Sequence, residues 1–178
     1  MGEIRRLHWG CGASVAPGWI NSDVLEGKSV DVVADIRKGL PLESDSFDYI
    51  VSHHALIDLG IYEQVPALQE LRRVLRPGGV LRLGLPDLDV LIAAYQRGDR
   101  DVFLIDDWET ISGNFITHML WYNITKTPFT FEFAQELLSK AGFREIRRLK
   151  FGETASPYAE IVMLDTRENE SFFVEAVK

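Results

Sequence analysis

The sequence has little cysteine, no long apolar run and a deficit of positive charge. Its single cysteine, Cys11, excludes an internal disulfide. No stretch of about 18 apolar residues is present, so no membrane span is predicted. With 19 Lys and Arg against 27 Asp and Glu, the formal net charge is −8. Such a negative surface disfavours nucleic acid as a partner. The one basic cluster is interpreted as a solvated strand edge; it comprises Arg144, Arg147, Arg148 and Lys150.

The amino terminus carries no targeting pattern. The first predicted strand begins almost at once and leaves no room for a signal peptide, and Arg6 stands where an acylation signal beginning Met1-Gly2 would need serine or threonine. The expectation is a cytoplasmic protein. Its oligomeric state cannot be inferred from composition.

A length of 178 residues with 46% hydrophobic residues suits one domain with a sizeable core. Strands are predicted at about 4–9, 19–23, 30–35, 47–52 and 79–85, with a helix at 65–75. This alternation favours an α/β fold with a doubly wound, mainly parallel sheet. Only Gly10 to Gly18 separate the first two strands, so the first helix is predicted to be reduced to a turn or lost.

The second half is predicted to complete the sheet. Asp87 caps a helix that Gly98 ends, and Thr130 caps a helix from Phe131 to Ala141 that Gly142 ends. Strands follow at 145–151 and 172–177. Residues 1–90 are interpreted as a cofactor-binding half, and residues 91–178 as a substrate-side half with an aromatic, lid-like segment at 99–127.

The most informative motif is Leu7-His8-Trp9-Gly10-Cys11-Gly12, an apolar run that breaks into closely spaced glycines. Asp23 ends the second strand and Asp35 ends the third. Bare glycine backbone admits a ligand, and a carboxylate at a strand end can accept hydrogen bonds from both hydroxyls of a ribose. The ordered set predicts a nucleotide-type crevice.

Together with Pro41–Ile50 and Leu71–Leu81, these segments resemble the class I methyltransferases that use S-adenosylmethionine. The resemblance is to small bacterial members with a Gly-Cys-Gly loop, a "GWINxD" second strand, a "LPxxDxSFD" fourth strand and a "RVLxPGG" fifth strand. It covers about residues 4–88 and continues loosely into 141–143 and 171–178. It implies a seven-stranded Rossmann-like sheet that closes with an antiparallel hairpin.

The resemblance also implies a site for S-adenosylmethionine. Gly10 and Gly12 would line its methionine part, and Asp23 would hold the ribose. Asp35 and the Ile36 backbone would lie near the adenine. The expected site further includes two residues, Cys11 in the loop and His53 at the end of the fourth strand. Cys11 is interpreted as a small loop residue and not a nucleophile, because no base is placed to activate it.

The candidate catalytic groups are fewer than usual. Related proteins often have "SHVLEHL" after the fourth strand, whereas this chain has Ile57-Asp58 in place of Glu-His. His53, His54 and Asp58 remain, and a histidine here can accept a proton near neutral pH. His54 is the first choice as base. His118 and Asp87 are further candidates, and the alternative is that proximity and orientation alone carry the methyl transfer.

The expected function is methyl transfer from S-adenosylmethionine to an oxygen or nitrogen of a small-molecule or glycan-like acceptor. One alternative is a non-catalytic S-adenosylmethionine-binding or interaction protein. A nicotinamide oxidoreductase is disfavoured because Val15 stands where the third glycine of its motif belongs. The histidines and Cys11 lack metal-ligand spacing, so no metal site is predicted.

Overall fold

The computed structural model describes residues 3–178. Seven strands form one sheet in the order β3-β2-β1-β4-β5-β7-β6. The strands are β1 (Arg6–Trp9), β2 (Ile20–Asp23), β3 (Val32–Val33), β4 (Phe47–His53), β5 (Leu75–Pro86), β6 (Arg144–Leu149) and β7 (Ser171–Val177). β1 to β5 pair in parallel, and β7 pairs antiparallel with both β5 and β6. The predicted fold class, with its closing antiparallel hairpin, is confirmed.

The helices are α1 (Gln64–Val74), α2 (Leu88–Arg97), α3 (Ile111–Leu120) and α4 (Phe131–Lys140). Their starts follow the predicted caps: Asp87 accepts a hydrogen bond from the Asp89 amide at 3.1 Å, and Thr130 accepts one from the Phe133 amide at 3.3 Å. Gly98 ends α2 in the left-handed conformation at φ 73°, which glycine adopts without steric cost.

The two faces of the sheet are covered differently. On one face, α1 and α4 bury a continuous apolar layer that includes Leu68, Leu71 and Leu138. On the other face, Trp19 of the β1–β2 connection and Ile161 of a short helical turn pack on Tyr49 and Val51. Between β1 and β2 the described chain forms only turns, as the short spacing predicts. The second face is therefore covered by connecting segments.

The main differences from the sequence prediction concern β3, β5 and the aromatic segment. β3 is limited to two residues, because the neighbouring Asp31 carboxylate accepts a hydrogen bond from the Asn21 amide at 2.8 Å. β5 begins at Leu75, four residues early, since Leu75 pairs with Phe47 across an irregularity in the ladder. The aromatic segment 99–127 contains a regular helix, α3, which Thr110 caps.

Candidate active site

Two cavities lie where the carboxyl ends of the parallel strands meet. The first, here the glycine-loop cavity, has a volume of about 350 Å³ and is lined by the loop after β1, the end of β4 and the segment 163–167. The second, here the lid cavity, has a volume of about 220 Å³ and lies among the residues after β4, α2, α3 and the loop before α4. His54 and Arg167 line both cavities. The crevice of an α/β sheet is the expected ligand position.

The glycine loop brings bare backbone to the edge of the first cavity. Gly10 has φ 69°, and a Cβ there would lie 2.1 Å from the Ala55 side chain. Its amide donates to the Ser22 carbonyl at 2.8 Å, which fixes the loop beside β2. Glycine is therefore required by both conformation and space.

Asp23 lies beside this loop, as predicted. One carboxylate oxygen accepts from the Gly12 amide at 2.8 Å, and the other accepts from the Leu25 amide at 2.9 Å. Each oxygen has a second lone pair, so the carboxylate can still accept from a pair of hydroxyls. Burial raises the pKa of Asp58, and the nearby charge of Asp23 adds to this rise.

Asp35 and Ile36 have local structural partners. The Asp35 carboxylate accepts from the Arg37 side chain at 2.7 and 2.8 Å and also caps the turn that follows. The Arg37 hydrogen bond lowers the pKa of Asp35. The Ile36 side chain is buried in the helix-covered face, so only its backbone is available to a ligand.

His53 is a buried, neutral side chain at the end of β4. Its ring lies over Gly84 of β5, where a Cβ would come within 2.2 Å of its Nδ1 atom. Burial lowers its pKa to about 3, with smaller contributions from His54 and Arg82. Neither ring nitrogen has a hydrogen-bond partner among the described residues, and the Asp165 carboxylate is 3.6 Å from Nε2.

His54 lies at the junction of the two cavities. Its Nε2 and the Ser171 hydroxyl form a hydrogen bond of 2.8 Å. Burial, with a smaller effect of the Arg167 charge, lowers the pKa of His54 to about 4. The imidazole is therefore neutral at pH 7, the form a general base requires.

The other two candidate catalytic residues are held more tightly. His118 lines the lid cavity, but its Nδ1 accepts from the Leu104 amide at 3.3 Å and its Nε2 pairs with Glu170 at 3.1 Å. Asp87 is buried; besides capping α2, it accepts from Arg148 at 2.6 Å. Asp87 is absent from the residues that line either cavity.

Cys11 lines the glycine-loop cavity, and burial raises the pKa of its thiol. A thiol kept protonated is a poor nucleophile, which agrees with its interpretation as a loop residue. Within residues 3–178, no group of three or more His, Cys, Asp and Glu side chains is arranged to hold a metal ion. No helix of that part of the chain is long and apolar enough to cross a membrane.

Sequence reasoning missed the segment between β6 and β7. Arg167 and Glu170 line the lid cavity, and Arg167 donates to Glu170 at 2.9 Å. Burial acts to raise the pKa of Glu170, but hydrogen bonds from His118 and Arg167 lower it. No sequence motif marks these residues, because His118, the second partner of Glu170, is 52 residues away in the chain.

A buried ion network anchors the same segment to the sheet. Arg82 of β5 is fully buried and donates to Asp165 at 2.7 Å and to Glu175 at 2.8 Å. The Gly152 amide also donates to Asp165, at 2.9 Å. A buried arginine requires such charged partners, so the connection is held firmly against the second face.

Comparison with known proteins agrees with this geometry. Residues 8–83 match the family described as "Methyltransferase domain". No curated protein matches the sequence.

Three solved structures illustrate the similarity of fold. An S-adenosylmethionine-dependent methyltransferase from Thermotoga maritima, described as a possible histamine N-methyltransferase, is 18% identical, with a TM-score of 0.64 over 100% of this chain and 84% of that one. One from Archaeoglobus fulgidus is 16% identical, with a TM-score of 0.61 over 98% and 86%. One from Mesorhizobium loti is 18% identical, with a TM-score of 0.59 over 99% and 92%.

The cofactor implied by these similarities fits the residues present. The crevice offers a glycine backbone cradle, a carboxylate at the end of β2, and buried polar atoms without partners among the described residues, such as His8 Nδ1 and Ser52 Oγ. The chain has the fold of the class I S-adenosylmethionine-dependent methyltransferases, and its methyltransferase-domain match implies S-adenosylmethionine as its cofactor.

Proposed function

We propose that the chain transfers the methyl group of S-adenosylmethionine to an oxygen or nitrogen of a small-molecule or glycan-like acceptor. The observation that carries the proposal is the pair of cavities that share His54 and Arg167. A methyl transfer needs donor and acceptor side by side in line, and two adjoining cavities of different chemistry provide that arrangement.

The glycine-loop side is assigned to the cofactor. Gly10, Cys11 and Gly12 would hold its methionine part, and Asp23 would accept from the ribose hydroxyls. The Ile36 backbone and Asp35 would lie at the adenine end, and His53 would form the inner wall. When bound, the cofactor supplies an electrophilic methyl group on a sulfonium.

The lid cavity is assigned to the acceptor. Most of its lining is apolar, including Leu88, Leu91, Met119 and Phe129. Its polar lining residues are His54, Asp58, His118, Thr125, Arg167 and Glu170. A mainly apolar pocket with a few convergent polar groups is typical of small-ligand sites. The segment 99–127 would act as the lid, as α3 forms one wall.

His54 is assigned as the general base when the acceptor is a hydroxyl. It is neutral, it lines both cavities, and its Nδ1 forms no hydrogen bond with another described residue. His118 has both nitrogens engaged, so it would orient Glu170 and the acceptor. The low pKa of His54 makes it a weak base, which suits a reaction that depends mainly on positioning.

A second candidate is a non-catalytic S-adenosylmethionine-binding protein. The observation that favours it is the 57–58 segment, where a short helical turn carries Ile57 and Asp58 in place of an acid-base pair. Related proteins often carry a Glu-His pair at this position, so this chain departs from them at the reacting end.

Two measurements separate the candidates. Calorimetric titration with S-adenosylmethionine, S-adenosylhomocysteine and NAD should show binding of the first two alone. Transfer of labelled methyl to a panel of hydroxyl and amine acceptors should then show turnover; amines are included because the similarly folded Thermotoga maritima protein is described as a possible histamine N-methyltransferase.

A variant in the lid cavity tests the assignment of one cavity to the cofactor and the other to the acceptor. Met119→Trp should fill the lid cavity, abolish turnover and leave S-adenosylhomocysteine affinity unchanged, because Met119 lines only that cavity. Binding of the cofactor without turnover on any acceptor would favour the non-catalytic candidate. Absence of cofactor binding would overturn both.

A further inference from the structure

Arg167 is the single fully charged side chain that lines the glycine-loop cavity among the described residues. The other titratable groups there are His8, His53, His54 and Cys11. Burial lowers the pKa of all three histidines and raises that of the thiol, so these groups are neutral at pH 7. For a carboxylate bound in this cavity, Arg167 would therefore be the one cationic partner among the described residues.

The proposed cofactor brings such a carboxylate to this place. The Gly12 amide is 2.8 Å from the Asp23 carboxylate, so a ribose held by Asp23 lies next to Gly12. The methionine part attached to that ribose would extend past Gly10 and Cys11, which line the cavity. A carboxylate removed from water needs an opposite charge or several hydrogen bonds, since its desolvation is otherwise costly.

We propose that Arg167 binds the carboxylate of the methionine moiety of S-adenosylmethionine, an inference that rests on the proposed function. Its guanidinium has five N–H donors, and the hydrogen bond to Glu170 at 2.9 Å is the one that it forms with a described residue. The remaining donors can form the paired hydrogen bonds that a carboxylate accepts.

The surroundings hold the guanidinium in position. It lies 5.5 Å from the ring centroid of Trp121, within cation–π range, and donates to Glu170; both of these residues line the adjoining lid cavity. Two residues earlier, Asp165 is fixed by the buried Arg82 at 2.7 Å. The arginine is therefore pre-organised, which reduces the entropy lost on binding.

The backbone at Arg167 has a φ of 58°, in the left-handed region, and it is one of seven non-glycine residues of the described chain with a positive φ.

The test compares two ligands that differ by the carboxylate alone. S-adenosylmethionine and its decarboxylated form are titrated calorimetrically into the wild type and into Arg167→Gln. We expect the wild type to prefer S-adenosylmethionine by about tenfold or more, the size of a charge-assisted pair. In Arg167→Gln this preference should shrink to within about threefold, with little change for the decarboxylated ligand.

Two variants serve as controls. Arg167→Lys keeps the charge and should keep most of the preference, and Arg147→Gln removes an exposed arginine on β6 and should change nothing. Because the Arg167 side chain is 44% exposed and the buried Glu170 keeps its hydrogen bond with His118, the glutamine variant should fold, which its melting temperature checks.

The outcomes are distinct. A preference lost in Arg167→Gln and kept in Arg167→Lys supports the assignment. Equal weakening of both ligands in Arg167→Gln overturns it, while leaving the proposed function intact. Failure of the wild type to bind either ligand overturns the proposed function itself.

Discussion

At the residue scale, the junction of the two cavities is formed by two side chains on left-handed backbone. His54 has φ 55° and Arg167 has φ 58°. The His54 amide donates to the Gly84 carbonyl at 3.0 Å, which ties its conformation to β5. Five other non-glycine residues of the described chain share this conformation, so it is the position of these two side chains between the cavities that distinguishes them.

The role of Asp23 gives a direct test of cofactor binding. Asp23→Ala should weaken binding of S-adenosylhomocysteine by at least about tenfold, because it removes a charged acceptor from the ribose and releases the Gly12 amide. Calorimetry measures the affinity. The control is Asp45→Ala, which removes an exposed carboxylate that precedes the start of β4. This variant should bind S-adenosylhomocysteine normally. Unchanged affinity in a folded Asp23→Ala variant would remove Asp23 from the site.

The role of His54 separates base, positioning and structural functions. As a general base it should contribute about a hundredfold to turnover, so His54→Ala should lower kcat by that factor with cofactor affinity nearly unchanged. With a pKa near 4, the wild-type residue stays neutral and kcat should be flat from about pH 6 to 8.

Other results would point elsewhere. A rise in KM with kcat maintained would indicate that His54 positions the acceptor, and a lower melting temperature with both parameters degraded would indicate a structural role. Full activity in His54, His53, His118 and Asp87 variants would mean that proximity alone carries the transfer.

At the element scale, the connection between β6 and β7 takes the place of a helical layer on the second face. It contributes Ile161 to the apolar cluster there, Asp165 to the buried ion network, and Arg167 to both cavities. Stability and the proposed ligand binding therefore share this segment.

The Asp165–Arg82 pair tests that dependence. Asp165→Ala leaves the Arg82 guanidinium buried with one carboxylate partner, so the free energy of unfolding should fall by about 3–5 kcal/mol. Urea denaturation measures it. S-adenosylhomocysteine affinity should fall as well, since residues 163–167 lose their anchor.

The control is Lys140→Ala, which removes an exposed ion pair with Glu136 on α4. Such pairs contribute about 0–1 kcal/mol, and the variant should bind cofactor normally. An Asp165→Ala protein as stable as this control would contradict the anchoring role.

At the scale of the whole molecule, burial of neutral histidines makes stability depend on pH. His53 and His54 have pKa values of about 3 and 4 in the folded chain, against the usual 6.5. Below pH 6.5 the unfolded chain therefore binds more protons than the folded one, so the free energy of unfolding falls as pH falls.

Between pH 6.5 and the pKa of the folded state, each histidine should change the free energy of unfolding by up to about 1.4 kcal/mol per pH unit. Denaturation at pH 7, 6 and 5 should reveal this slope, and the double variant His53→Gln/His54→Gln should reduce it to the contribution of His8, whose burial also lowers its pKa. Carboxylates with lowered pKa, such as Glu70, act at lower pH, so a slope between pH 6.5 and 5 that is as steep in the double variant as in the wild type would contradict this explanation.

Much of the architecture could be predicted from local sequence. Apolar runs bounded by turn residues predict strands, and Asp87, Thr130 and Gly98 mark helix ends, because caps and left-handed turns depend on neighbouring residues alone. The glycine loop followed by Asp23 predicted one corner of the site for the same reason. Gly12 and Asp23 are 11 residues apart and meet by simple strand order.

The tertiary structure decided which groups complete the site. Arg82 and Asp165 are 83 residues apart, and His118 and Glu170 are 52 apart, so neither pair has a local signature. The tertiary structure also pairs Asp35 with Arg37 and Asp87 with Arg148, and the position of an aspartate at a strand end does not reveal such partners. The sequence by itself determined the sheet, its caps and its glycine loop through short-range preferences. Long-range packing buries Arg82, and Arg82 in turn positions Asp165 and the nearby Arg167. Only this packing decided that the Arg167 charge lies at the crevice.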